Sequence, residues 1–309
     1  MEAPTLPKLI AIVGPTASGK TNLSLAVAKA IGGEIINADS RQLYRGMDIG
    51  TAKELNDGSV PGAYAVQGVV HHLIDIADPD QEITLAHYQT LTFRAIEDIT
   101  ARGKVPMLVG GTGLYVQAII DNLDIPRVPP NAALRHELES LTTEALMDIL
   151  TAEDPEASET MDPFNRRYII RAIEIVRTTG ASNASQKKCG EPKCCVLLLG
   201  VQRDREELAV RIHARIMSML EAGLVDETKR LMGKYGFHLS AMSSIGYCEI
   251  ESYLRGEISL EAAIERMEAR TRQFARRQLT WWRRPGTRDV VWVESDAEAI
   301  GLAEKFLRA

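Results

Sequence analysis

The chain has 309 residues, 45% of them apolar and 25% charged, a balance that lets one core domain plus an insertion bury a sizeable interior. It has no run of about eighteen apolar residues, which excludes a membrane-spanning helix, and its N-terminal MEAPTLPKLIAIVG lacks the basic region, long apolar run and cleavage site of a signal peptide, so a cytoplasmic protein with no membrane partner is expected. A net charge of −6 weighs against nucleic acid as a partner unless basic residues are gathered in one place.

KLIAIV (8–13) is a short apolar run ending at glycine and reads as a buried strand. From Thr21 the apolar residues Leu23, Ala26, Val27, Ala30 and Ile31 recur at helical spacing, and Gly32-Gly33 closes that helix. EIINAD (34–39) reads as a second strand. A helix is expected over 85–102, with Leu85, Tyr88, Leu91, Ala95, Ile96 and Ile99 on one face. VPMLV (105–109) is a third strand, running into Gly110-Gly111-Thr112-Gly113, and CVLLLGV (195–201) is a fourth. Strands alternating with helices imply a parallel sheet with helices on both faces. Residues 121–193 differ: rich in Glu, Ala, Leu and Arg, they begin at Pro126, Pro129 and Pro130 and end in the polar run SNASQKKCGEPK. They read as a helical insertion between a first core part (1–120) and a second (194–309), the latter helical over 203–284.

Residues Gly14, Pro15, Thr16, Ala17, Ser18, Gly19, Lys20 and Thr21 complete the pattern G-x-x-x-x-G-K-S/T between a predicted strand and a predicted helix. Backbone N–H groups and the helix N-terminus suit a di- or triphosphate there. Lys20 adds a mobile cation, and the Thr21 hydroxyl can ligate Mg²⁺. A hydrolytic P-loop enzyme usually carries an acid at the end of a later strand to help hold the metal. VPMLV ends instead in Gly-Gly-Thr-Gly, which suggests a diphosphate that leaves rather than half of an ATP. In a parallel sheet the ligand lies beyond the carboxyl ends of the strands, where the second strand delivers Asp39-Ser40 and the third Thr112. Asp39 reads equally as a general base or a helix N-cap, and Thr112, taken alone, as a turn or cap hydroxyl.

At this point GPTASGKT (14–21), INADSRQLYRGMDIGTAK (36–53), HHLIDIADP (71–79), LVGGTGLYVQA (108–118), RAIEIVRTTG (171–180) and TRQFARRQLTWWRR (271–284), in this order, resemble the tRNA dimethylallyltransferase family of bacterial type. The likeness runs from about residue 8 to 285; the phosphate loop is shared with many kinases, whereas the second and last segments are far more specific. The resemblance implies a P-loop core and transfer of a dimethylallyl group, with Mg²⁺, from dimethylallyl diphosphate to N6 of the adenosine 3′ to the tRNA anticodon. It makes Asp39 the base and Thr112 the holder of nucleophile and diphosphate. It gives Arg211 or Arg215, at the edge of an apolar helix face formed by Leu208, Ile212 and Ile216, the task of neutralising the diphosphate. It assigns Asp39, Ser40, Arg41, Gln42, Arg167, Arg171, Arg272, Gln273, Arg276 and Arg277 to the anticodon stem-loop. The chain departs from the family at Arg167-Tyr168 and Ser243-Ser244, and lacks the C-terminal zinc finger of eukaryotic relatives.

Arg266, Arg270, Arg272, Arg276, Arg277, Arg283, Arg284 and Arg288 face a single acid within their own segment, Glu268. At 100° per residue Arg266, Arg270, Arg277 and Arg284 form one stripe and Arg272, Arg276 and Arg283 another, while Ala263, Met267, Phe274 and Trp281 face the core. With the pairing acids mostly missing, this stretch is expected to contact a phosphate backbone. His71-His72 are adjacent and read as packing or hydrogen-bonding groups, and Cys189, Cys194, Cys195 and Cys248 have no zinc spacing and read as reduced thiols. The expected protein is a monomeric tRNA dimethylallyltransferase. A P-loop small-molecule or nucleoside kinase, an adenylate isopentenyltransferase acting on free AMP, ADP or ATP, and a non-enzymatic tRNA-binding module remain as alternatives.

Overall fold

Lys8–Val13 (β1) is fully buried from Leu9 onward, so both of its faces are covered. It lies inside a seven-stranded sheet with Gly33–Asn37 (β2), Tyr64–Val66 (β3), Val69–His72 (β4), Val105–Val109 (β5), Cys195–Val201 (β6) and Val291–Val293 (β7), in the order β3-β4-β2-β5-β1-β6-β7. Every neighbouring pair is parallel except the β3–β4 hairpin. The structure, a computed structural model, describes residues 6–183, 189–236, 239, 241–284 and 287–309. The expected P-loop α/β core is therefore present, with helices around a mostly parallel sheet.

Lys20–Ile31 (α1) leaves the loop after β1 and ends at Gly32, whose left-handed φ of 67° lets its N–H reach Ala28 O. Gly33 does not share in that cap; it begins β2, where a side chain would meet the Met107 sulfur. β2 stops at Asn37, two residues before the expected end, because Asp39 turns away from the ladder. Leu85–Ala101 (α2) and Gly113–Ile120 (α3) follow, and Asp296–Arg308 (α12 in chain order) packs on α1. Ile10, Ile12, Leu25, Val27, Met107, Leu199, Ala299 and Ala303 join β1, α1, β5, β6 and α12 in one core. Not expected were α3, the β3–β4 hairpin, turning on Gln67 and Gly68 at φ 51° and 80°, β7, and α12. The helical stretch after β6 is broken into Arg205–Glu221 (α8), Leu224–Tyr235 (α9), Tyr247–Leu254 (α10) and Leu260–Trp282 (α11).

The chain divides into two compact units, Met1–Ile83 with Tyr88–Ile120 and Lys193–Ala309, and Thr84–His87 with Asp121–Pro192. The second unit holds Ala132–Glu139 (α4), Thr143–Glu153 (α5), Pro155–Thr160 (α6) and Arg166–Thr179 (α7). Leu138, Leu146, Leu150, Ala157, Ile169 and Ile173 form its own core. Residues 184–188 of the polar run that closes it lie outside the described residues. Glu174 is fully buried there and accepts from Asn131 N at 2.6 Å, from Arg135 at 3.0 Å and from Arg171. A buried carboxylate is tolerable only when paired and hydrogen-bonded in this way. No helix among the described residues is long and apolar enough to cross a membrane.

Candidate active site

The loop Gly14–Thr21 folds at the carboxyl end of β1. Ala17 and Gly19 take left-handed conformations, with φ of 62° and 96°, the kind of backbone that can form an anion-binding concavity. Lys20 Nζ donates to Pro15 O at 2.6 Å. Burial, and then the charge of Arg215, bring its pKa down to about 7, against the opposing pull of Asp39. Among the described residues the buried Ser18 hydroxyl has no partner, and it lines the same cavity.

Three arginines hydrogen-bond to the loop. Arg211 Nε donates to Ala17 O at 2.7 Å, and Arg215 Nη1 to Thr16 Oγ1 at 3.2 Å. Both come from α8 and both line the cavity. Arg203, just after β6, donates to Ser18 O at 3.1 Å. Sequence reasoning missed it; its position directly after a strand that neighbours β1 was the available signal.

Asp39 and Thr112 meet at the ends of β2 and β5. Asp39 caps no helix: its Oδ1 accepts Arg41 N at 2.9 Å, a turn of its own, and its N–H is held by Asn37 Oδ1 at 3.0 Å. Thr112 Oγ1 accepts Ser40 N at 3.1 Å and so ties the two strand ends together. The glycines around Thr112 are needed for close approach. A Cβ on Gly110 would lie 2.2 Å from the Ala38 backbone, and one on Gly111 2.3 Å from Gln278 Nε2.

Two cavities meet at these residues. One, of about 190 Å³, is lined by the phosphate loop, Asn37, Arg211 and Glu54. The other, of about 460 Å³, is lined by apolar side chains including Ile212, Ile216, Met219, Met267, Phe274 and Trp281. Asp39, Thr16, Arg215 and Gln278 line both, so the cleft has a polar end and an apolar end with the carboxylate at the junction.

The motif GMDIGTAK frames this cleft. Buried Lys53 donates to Tyr44 O at 2.8 Å, to Asp48 at 2.7 Å and to Asp75, the last from the HHLIDIADP segment. Buried Glu227 of α9 accepts Ile49 N and Gly50 N at 3.0 Å each, Asp48 N at 3.2 Å and Tyr247 Oη at 2.6 Å. Thr51 and Ala52 are thereby held at the cleft wall. Gln42 Nε2 donates to Thr51 O at 3.1 Å, and Arg41 reaches Ala241 O at 3.0 Å and Ser243 Oγ at 3.3 Å, so both side chains brace the cleft from within the fold. His72 bonds Glu34 at 2.7 Å and His71 bonds Val69 O at 3.0 Å, as packing and hydrogen-bonding groups.

The arginine helix needs correcting in two respects. Phe274 and Trp281 do not enter the core; they line the apolar cavity, while Ala275, Gln278 and Trp282 are the buried residues of that last part of α11. Several of its arginines also have partners, one of them an acid from a neighbouring helix. Arg270 pairs with buried Glu249 of α10, Arg272 with Glu268 at 3.0 Å, Arg283 with Gln202 at 2.8 Å, and Arg284 stacks 3.9 Å above the Trp281 ring. Arg276 and Arg277 are exposed, and among the described residues their guanidinium groups have no ion pair or hydrogen bond; Gln273 is exposed beside them. In the second unit Arg167 is exposed, while Arg171 is committed to Glu174 and to Val128 O at 2.8 Å.

A phosphate loop after a central parallel strand, with arginines hydrogen-bonded to it and a carboxylate at the neighbouring strand end, defines a P-loop α/β protein whose polar pocket opens into an apolar one. Comparison with known proteins narrows the class. A family model described as IPP transferase matches residues 42–285, and one described as Isopentenyl transferase matches residues 7–60. The tRNA dimethylallyltransferase of Chloroflexus aggregans is 46% identical over 282 residues, covering 90% of this chain and 93% of that protein. That of Moorella thermoacetica is 42% identical over 300 residues, covering 94% and 91%. The crystal structure of a tRNA isopentenylpyrophosphate transferase from Bacillus halodurans matches with a TM-score of 0.69 at 39% identity, over 97% of this chain and 95% of that one. A eukaryotic dimethylallyltransferase captured acting on tRNA matches with a TM-score of 0.78 at 28% identity, over 98% and 80%. The chain belongs to the tRNA dimethylallyltransferase family, and it is a prenyltransferase-class enzyme.

Proposed function

We propose that the protein transfers a dimethylallyl group from dimethylallyl diphosphate to N6 of the adenosine 3′ to the anticodon in tRNA, releasing diphosphate, and that it acts as a cytoplasmic monomer. The observation that carries this reading is the two-ended cleft. Phosphate loop and arginines line its polar end, Ile212, Ile216 and Trp281 its apolar end, and Asp39 stands where the two join.

In this reading the backbone N–H groups of the loop, Lys20, Arg211 and Arg215 hold the diphosphate, and the prenyl chain lies toward the apolar side. The N6 lone pair attacks the allylic carbon, the C–O bond breaks, and its electron pair leaves on the diphosphate. Asp39, whose Oδ1 is fixed by Arg41 N, takes the N6 proton as general base. Thr112 holds the nucleophile beside it. Positive charge at the loop stabilises the charge that develops on the leaving group. Thr21 lines the polar cavity and suits Mg²⁺, which keeps most of its waters and takes few protein ligands beside a diphosphate; bound there, the ion would neutralise the leaving group. The adenine must leave its stack to enter, which costs a few kcal/mol, and exposed Arg276 and Arg277, with the helical insertion, are the parts assigned to interactions that offset this.

The test is incubation with labelled dimethylallyl diphosphate and separate tRNA, AMP and ATP acceptors. Label in tRNA alone is expected. Label in the free nucleotides, or steady ATP hydrolysis without prenyl transfer, would overturn the reading in favour of an adenylate isopentenyltransferase or a kinase.

A further inference from the structure

Gln278 is a polar residue on the buried side of α11, 5% exposed, in a position where the sequence continues an apolar stripe. Both ends of its amide are bonded to backbone. Oε1 accepts Thr16 N at 2.7 Å, and Nε2 donates to Gly111 O at 2.8 Å. The orientation of the amide is unambiguous, since a backbone N–H can only donate and a backbone carbonyl can only accept. One side chain therefore joins three segments: the phosphate loop, the end of β5 and α11. The approach depends on Gly111, where any Cβ would collide with the amide. Thr16, fixed through its backbone by Gln278, presents its hydroxyl to Arg215 at 3.2 Å.

We propose that Gln278 is a positioning residue for the diphosphate end of the cleft: it sets Thr16, and through Thr16 it sets Arg215. The inference rests on the reading of that end as a diphosphate site. It assigns Gln278 no contact with the reacting atoms. It also makes α11 a direct mechanical link, because Arg276 and Arg277, exposed on the same turn, immediately precede the residue that holds the loop.

The test is binding of inorganic diphosphate with Mg²⁺ to the intact protein and to two variants, followed by KM and kcat for each substrate. Gln278→Leu keeps bulk but leaves Thr16 N and Gly111 O without partners, and diphosphate affinity should fall about tenfold or more. KM for the prenyl diphosphate should rise while KM for tRNA changes by less than about twofold. Gln278→Glu supplies the decisive readout. As a carboxylate it still accepts from Thr16 N but opposes Gly111 O; once protonated, its O–H donates to Gly111 O and restores the pattern. Its affinity, divided by that of the wild type at the same pH, should climb as pH falls from about 8 to about 5.5, through the range of a raised carboxyl pKa. Lys20, Asp39, Arg211 and Arg215 face the same cleft in both proteins, so the ratio removes their common contribution. A Leu variant within about twofold of the wild type, or a Glu ratio flat across that pH range, overturns the proposal. Since the readout is diphosphate binding and not turnover, it stays decisive even if tRNA is not the acceptor. Failure of the intact protein to bind diphosphate would overturn both readings.

Discussion

Diphosphate binding should be coupled to proton uptake through Lys20. Its ammonium is folded onto Pro15 O, and burial with the neighbouring charge of Arg215 holds its pKa at about 7 in the free protein. A diphosphate beside the loop brings negative charge within a few ångströms and raises that pKa again. Above about pH 7 the free protein must therefore take up a proton to bind. The sign follows: affinity is full below that pH and is lost as pH rises toward the pKa of the bound state. With half of Lys20 protonated at pH 7 and about a tenth at pH 8, affinity should weaken about fivefold over that unit and about tenfold over the next. Calorimetric titration with inorganic diphosphate, in buffers of different ionisation enthalpy, counts the protons. The diphosphate's own protonation is common to wild type and Lys20→Met. The wild type should take up about 0.5 proton more than the variant at pH 7 and about 0.9 more at pH 8. Equal uptake by the two proteins would refute the assignment of Lys20 as the titrating cation of the diphosphate site.

Asp39→Asn keeps the acceptor for Arg41 N but cannot take a proton. Turnover should fall by about 10² or more with substrate affinity little changed, and a near-normal rate would leave Asp39 only its turn. Arg276→Ala with Arg277→Ala should weaken tRNA binding and flatten the plot of log affinity against log salt by about 0.7–0.9 for each phosphate no longer neutralised; an unchanged slope would assign these exposed arginines to the surface alone. Glu227→Gln places an NH₂ group among three backbone donors and the Tyr247 hydroxyl. Thermal denaturation should report a loss of about 1–3 kcal/mol, with a raised KM as the Thr51–Ala52 wall loosens, whereas an unchanged melting temperature would show that these hydrogen bonds contribute nothing.

The parts legible in the sequence were those whose cause is local. The spacing of Gly14, Gly19, Lys20 and Thr21 sets a loop by backbone geometry alone, and KLIAIV and VPMLV are apolar runs that a strand covered on both faces hides. Gly32 closes α1 because a left-handed residue is needed there. Elements stabilised by their neighbours left weaker marks. The β3–β4 turn uses Gln67 where Asn or Asp would have announced positive φ. β7 has three residues and is a strand only because β6 offers it a parallel edge.

The same contrast explains why residues that line the cleft were legible and those that brace it were not. Lys20, Asp39 and Thr112 lie at strand ends, where the topology of a parallel sheet says chemistry collects. Gln278 and Glu227 lie on the buried faces of helices, where a polar residue reads as an interruption of the apolar stripe. Their partners are backbone amides and carbonyls far away in sequence, at Thr16, Gly111 and Asp48–Gly50, and a backbone group has no identity in a sequence. An unpaired polar group in such a position would cost more than its hydrogen bonds return. A lone Gln or Glu on an otherwise apolar helix face, in a chain already carrying a phosphate loop, therefore points to a loop held by that side chain. Arg270 makes the converse case. Counted within its own segment it had no acid, but Glu249 of α10 supplies one, so charge runs along one helix measure what is free only after the helices packed against it are known.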